Sequence, residues 1–264
     1  MRPAGSPWEL ARWLGGVLIY LRTMALFLLA WHFAAEAVPN KLLLPSPLAV
    51  AQALRESWLD GELTANAGIS LLRLFVSVAA AAALAIPIGL AMGRSRTISD
   101  LLEWPVELLR PIAGIAWIPL ALFIFGIGQR LPIFIMFYTA FFPLLLGTAA
   151  GAQSVDRRLI AAARTMGLSR GTIMRQVVVP AALPSVLVSL RLAVAASWTA
   201  VVAAELVGAP SGLGYAIEYY RSMLATPTVM AFIAVIGLLG FLTDRALRWL
   251  GDALAPWARA EGRR

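Results

Sequence analysis

The chain has 264 residues, 60% of them hydrophobic and 14% charged, with a formal net charge of +8 and a mean hydropathy of +0.80. That composition leaves too little polar surface for a soluble domain of this length and points to a polytopic membrane protein. With no cysteine, one histidine (His32) and one lysine (Lys41, which follows Asn40 rather than a glycine), the sequence offers no disulfide framework, thiolate or His-cluster metal site, Cys nucleophile or ATP-binding P-loop.

A helix needs about 20 mostly apolar residues to cross the hydrocarbon layer. After a basic leader at about 1–16, the first such segment covers about 17–35. It is followed by Ala34–Ala37, "AAEA", which has the small-x-small form of a signal-peptidase site. Retention as a span and cleavage as a signal both fit there; Arg22 and the long leader favour retention. His32 reads as a packed span residue. Next come "LLLPSP" and an amphipathic stretch for which Ser46 is a candidate N-cap, expected as a short surface helix.

The further candidate spans cover about 68–92, 105–126, 131–150, 184–207 and 228–248, giving six in all. Pro87, Pro111, Pro119 and Pro143 fall inside them and read either as packing kinks or as breaks that shape a pathway. With the N-terminus placed in the cytoplasm, sixteen of the 22 basic residues fall on inner segments. Lys41, Arg55, Arg130 and Arg221 fall on outer ones, and Arg73 and Arg191 lie within spans. This bias places both termini and the 151–183 loop inside. It also accounts for the net charge without nucleic acid. The expected fold is therefore all-α, one membrane domain over 1–264 with about six transmembrane helices.

The 151–183 loop concentrates Arg157, Arg158, Arg164, Arg170 and Arg175. Its pattern predicts a short helix ended by Gly167 in a left-handed cap, then a second short helix capped by Ser169 and interrupted by Pro180 and Pro184. Two roles fit such a basic helix-turn-helix: lying on anionic lipid headgroups, or docking in another protein's groove through the small surface of Ala161–Ala163.

The spacing of this loop resembles the EAA loop of ABC-importer membrane subunits, whose signature is Glu-Ala-Ala, three residues, Gly, nine residues, Ile-x-Leu-Pro. Ala162 and Ala163 stand at the two alanines, Gly167 at the glycine, Val177 and Val179 at the aliphatic positions and Pro180 at the proline. Ala161 stands where the family has glutamate, which removes an acidic contact to the ATPase. "LLLPSPLAV", "RPIAGIAWIPLALFIFGIG", "SVDRRLIAAARTMG" and "VVAAELVGAPSGLGYAI" extend the resemblance, over roughly 42–250, to the subfamily that imports nitrate, sulfonates and taurine.

The resemblance implies a homodimeric permease subunit of the bacterial inner membrane. It implies two ATPase subunits on the coupling loop, carrying ATP and Mg that this chain does not bind, and an extracytoplasmic substrate-binding protein. Taurine or another sulfonate is the first substrate expectation, with nitrate, bicarbonate or another small metabolite second. A self-sufficient channel or secondary transporter is the alternative from another class; it lacks the inverted repeats and midplane acids that would support it. An intramembrane enzyme would need a nucleophile with its base, or a metal site, and the candidates are poor.

Arg191, Glu205, Trp117 and Trp198 are candidates for lining the translocation path. Their alternatives are snorkelling for Arg191, a charge pair or an interfacial position for Glu205, and packing for the tryptophans. Gly208, Ser211, Gly212 and Gly214, in "GAPSGLGY", read as an outer gate or a binding-protein contact. Arg73 and Arg110 read as interfacial anchors.

Overall fold

The computed structural model describes residues 7–40 and 43–257. Lys41, Arg2, Arg259, Arg263 and Arg264, all counted in the charge bias, lie outside the described residues, as does the side chain of Arg12. The described elements are all helical. They are α1 (Pro7–Ala37), α2 (Pro47–Leu59), α3 (Glu62–Arg94), α4 (Arg96–Leu109) and α5 (Ile118–Phe125), then α6 (Arg130–Gln153), α7 (Arg157–Thr165), α8 (Arg170–Ile173), α9 (Val179–Gly208), α10 (Leu213–Ser222) and α11 (Thr226–Leu254).

Among the described residues, four helices are long and apolar enough to cross a membrane: α3, α6, the continuous helix Arg170–Gly208, and α11. A bent pair, α4 with Gly114–Phe125, supplies a fifth crossing if it acts as one. The first expected span falls on α1, a 31-residue helix whose apolar side chains from Leu18 to Phe33 are largely exposed. His32 is on that exposed surface beside Glu36, rather than packed in the bundle.

The core is a slab of three helices with α6 between α3 and α9. Leu74, Met136, Leu144, Leu145 and Val201 fill it with almost no exposed area, and Phe232 of α11 joins the same core. Small residues set how closely the helices approach. An ideal Cβ on Gly147 of α6 would stand 1.7 Å from Ser189 Oγ of α9, and one on Gly93 of α3 would stand 2.5 Å from Ala152 Cβ of α6. Outside the slab, α11 packs on α9, α10 and the surface helix α2. Ser46 caps α2 as expected, its hydroxyl accepting from Ala49 N at 3.3 Å.

Two expectations are corrected. The third span, expected over 105–126, is not one helix. Its two parts meet at 77°. Pro111 has no N–H to continue the ladder of α4, and its ring crowds the preceding turn. The chain therefore turns at 110–113 before a 3-10 turn (Gly114–Trp117) leads into α5. The second helix of the arginine-rich loop, expected to end at Pro180, does not end there. A π turn over Met174–Val178 inserts ahead of Pro180, with Val179 N bonding Met174 O. The widened turn relieves the clash of the proline ring with the preceding turn, and the helix runs on through Pro184 to Gly208.

The tight α6–α9 contact yields a test. Gly147→Val is expected to overpack it and cost about 1–3 kcal/mol. Gly237→Val on α11, where a Cβ meets nothing within 4 Å, is expected to be neutral. Thermal unfolding of both variants in mild detergent distinguishes them; equal melting temperatures would refute the close-approach account.

Candidate functional site

The arginine-rich segment is built from its caps inward. Asp156 accepts from Arg158 N at 2.8 Å and starts α7. Ile160 and Ala163 turn inward onto Ala152, Val155, Ile173 and Val178. Arg157, Arg158, Ala161, Ala162 and Arg164 are left exposed. Gly167 takes φ 79°, and Leu168 N returns to Ala163 O at 3.2 Å, closing the left-handed cap. Ser169 Oγ accepts from Thr172 N and starts α8.

The aligned small residues therefore divide: Ala161, Ala162 and Gly167 form an open outer face, and Ala163 seats α7 on the bundle. Of the C-terminal residues, Val177 and Pro180 are half-buried and Val179 is exposed, while the deepest is Val178, 1% exposed. Ile160, Ile173 and Val178, the residues that anchor the loop, were not singled out from sequence. Their apolar spacing was the available signal.

At the opposite end of the bundle, the "GAPSGLGY" loop folds inward over a buried ion pair. Arg73 of α3 is 2% exposed and Glu205 of α9 is 0% exposed. Arg73 Nη1 donates to Glu205 Oε1 at 2.6 Å and to Ser211 O at 2.7 Å. Its Nη2 reaches Ser211 Oγ at 2.9 Å, and its Nε reaches Gln129 Oε1 at 2.6 Å. Ser70 Oγ donates to the Glu205 carboxylate at 2.8 Å. Three amides of the loop and of the start of α10 complete the set: Gly212 N on Asn66 Oδ1, Leu213 N on Ser70 Oγ and Gly214 N on Glu205 Oε2, at 2.8, 2.9 and 2.9 Å.

Isolated buried charges of this kind would be costly; here each finds several partners. Gly212 is required on two counts. Its φ is 108°, and a Cβ would stand 2.4 Å from Glu205 Oε1. Gly208, Gly212 and Gly214 are buried and Ser211 is half-buried, so the loop's free surface is Pro210 and Tyr215. Arg73 is corrected from an interfacial anchor to the centre of this network; only its place inside a span hinted at it.

On α10, Tyr220 OH donates to Glu62 of α3, and that carboxylate pushes the phenol's pKa up to about 12. The other expected path residues are placed separately. Arg191 pairs with Asp244 of α11 at 2.9 Å, which also accepts from Arg248. Trp198 donates to Thr243 at 3.0 Å across the α9–α11 contact. The ring of Trp117 lies 5.5 Å from that of Tyr138, and its buried Nε1 has no acceptor. Arg110 stands at the break after α4, where Tyr138 OH donates to Leu109 O at 2.6 Å.

The described helices thus carry an exposed Ala-Ala face before a left-handed glycine at one end and a buried ion pair under a glycine-rich loop at the other. Residues 85–256 match the family described as the binding-protein-dependent transport system inner membrane component. The chain belongs to this family. It is a multi-pass permease subunit of an ABC importer and not an enzyme.

The permease is 35% identical over 256 residues to the taurine transport system permease protein TauC of Escherichia coli, covering 95% of this chain and 92% of that protein. It is 32% identical over 263 residues to the bicarbonate transport system permease protein CmpB of Synechococcus elongatus, covering 94% of each. Its fold is similar to a chain of the MetNI methionine ABC transporter in an inward-facing conformation, with a TM-score of 0.63 and 23% identity over 74% of this chain and 97% of that one.

Removing one partner of a buried pair leaves the other charge unpaired, at a cost of about 3–5 kcal/mol. Glu205→Ala and Arg73→Met are each expected to lower the permease's thermal stability in detergent by that order and to expose the Pro210–Tyr215 loop to protease. The double variant is expected to lie well short of the sum. Additive losses would show that the two side chains act independently.

Proposed function

We propose that the permease works as a homodimer, driven by two ATPase subunits that bind ATP and Mg and dock on the α7–α8 segment. A substrate-binding protein delivers solute at the opposite end. The observation that carries this reading is the continuous helix Arg170–Gly208. Its first turn belongs to the arginine-rich segment and its last turns carry Glu205, which holds the "GAPSGLGY" loop. At 1.5 Å per residue, its 39 residues span about 58 Å. A displacement of the segment at one end is thereby passed by one rod to the loop at the other, as alternating access requires.

The arginine-rich end faces the cytoplasm in this reading, because it gathers Arg94, Arg96, Arg245 and Arg248 with the five arginines of the 157–175 segment. Both termini then lie inside and α1 is a further span. The cargo is a small anion, with taurine or another sulfonate first and bicarbonate or nitrate second; similarity to the taurine and bicarbonate permeases supports that class. Substrate choice rests largely with the binding protein.

Two measurements test the proposal. Mild-detergent purification of the tagged chain from its native membrane, with mass spectrometry, is expected to recover an ATPase in equal amounts. A chain that comes down alone even after crosslinking would favour a self-sufficient transporter. Gly167→Pro forces φ near −65° at a residue whose φ is 79°. The variant is expected to insert normally, lose most ATP-driven uptake and bind the ATPase less. Undiminished uptake would remove the docking role of the loop.

A further inference from the structure

The break between α4 and the 114–125 segment opens a cavity of about 340 Å³. Arg110, Gly114, Tyr138, Thr139, Phe142 and Ala196 are among its walls. The cavity lies against the middle of α6 (Arg130–Gln153) and of the Arg170–Gly208 helix, well away from both ends of the bundle. Irregular backbone at such depth is tolerated only where it is buried in protein or lines a water-filled space. The exposure of Arg110 at this break fits the second condition.

Arg110 is the only charged residue among the described walls. Its guanidinium has no ion-pair or hydrogen-bond partner among the described residues, in contrast to those of Arg73 and Arg191. The other polar walls are already engaged: Tyr138 donates to Leu109 O, and Thr139 donates to Ile135 O at 2.8 Å. A charge at mid-depth is costly to insert, and an unpaired one there marks a functional position. The neighbouring Trp117 brings a second donor without an acceptor, its ring against the cavity wall at Tyr138.

An exposed charged stripe runs along α4 towards this point. Arg96, Asp100, Glu103, Glu107 and Arg110 recur at helical spacing and form one exposed charged stripe on a helix whose other exposed face is Leu101, Trp104 and Leu108. The foot of the stripe opens into a polar cleft of about 840 Å³ at the arginine-rich end.

We propose that Arg110 is the fixed cation of an oxyanion subsite on the translocation path, with the apolar walls of the cavity receiving the short alkyl part of a sulfonate. The guanidinium fork matches the paired oxygens of a sulfonate, bicarbonate or nitrate. The volume fits one such ion with water. Among the described residues, no carboxylate lines the cavity itself, and Glu107 stands one turn before Arg110 on the exposed stripe. This subsite rests on the importer reading for its cargo, and its electrostatics are tested without transport.

The chain has no cysteine, so one introduced thiol is unique. In the purified full-length chain, Ala196→Cys places a thiol on the cavity wall and Ser222→Cys places one on exposed α10, outside it. Each is labelled with the anionic ethylsulfonate and the cationic ethyltrimethylammonium methanethiosulfonates. At Ala196→Cys, normalised to Ser222→Cys, the anionic reagent is expected to react preferentially. Adding Arg110→Gln is expected to reduce that preference about tenfold, whereas Arg110→Lys retains most of it. Millimolar methanesulfonate is expected to slow labelling when Arg110 is present and to leave it unchanged in the Arg110→Gln variant.

A preference unaffected by Arg110→Gln, or a thiol at 196 that neither reagent reaches, overturns the subsite. A preference that falls without protection by methanesulfonate overturns its assignment to a sulfonate. Should the labelling behave as expected while no ATPase co-purifies, the proposed ATPase docking on the α7–α8 segment fails and the subsite stands.

Discussion

The Arg73–Glu205 pair is the constraint around which this end of the bundle is organised. Two opposite charges are taken out of water, and such a pair is stable only if its remaining donors and lone pairs are also satisfied. The fold meets that demand from four directions. Ser70 comes from α3, Gln129 from the turn before α6, the Ser211 carbonyl and hydroxyl from the loop, and the Gly214 amide from the start of α10, while Asn66 of α3 holds the loop by accepting from Gly212 N. The partners come from α3, the turn before α6 and the 211–214 stretch, so satisfying the charges fixes where α10 starts and how the loop crosses the bundle. Gly212 and Gly214 follow from the same demand, because a side chain at either would displace Glu205.

The network is joined to the arginine-rich end by a single helix. A proline would ordinarily separate a loop helix from a span. Here the π turn over Met174–Val178 absorbs Pro180, and the loop helix and the span become one body. The slab packing then supports that body along its length, with Gly147 and Gly151 of α6 on Ser189 and Ser185.

α4 and α5 play a different part. They pack loosely on the slab and carry both a charged stripe and exposed apolar residues on one short helix pair. The break at Arg110–Ala113 separates the two helices. Tyr138 stabilises it by donating to Leu109 O, a carbonyl at the end of α4. The cavity and the unpaired guanidinium are consequences of ending one helix and starting another at mid-depth.

The sequence by itself determined the class of this protein and most of its local structure. Hydropathy over windows of bilayer length located α3, α6, the span portion of α9, and α11, and capping chemistry located Ser46, Gly167 and Ser169, because those signals are carried by adjacent residues. The EAA-like spacing, also local, led to the permease family. Tertiary structure alone decided what the charges do. Arg73 and Glu205 are separated by more than a hundred residues, and nothing in the neighbourhood of either names the other. Arg110 looked like an anchor because its depth depends on a 77° bend that windows of hydropathy average away. The continuity through Pro180 was hidden for a related reason: a proline removes a hydrogen bond locally, and whether a helix survives depends on the packing that offsets a widened turn.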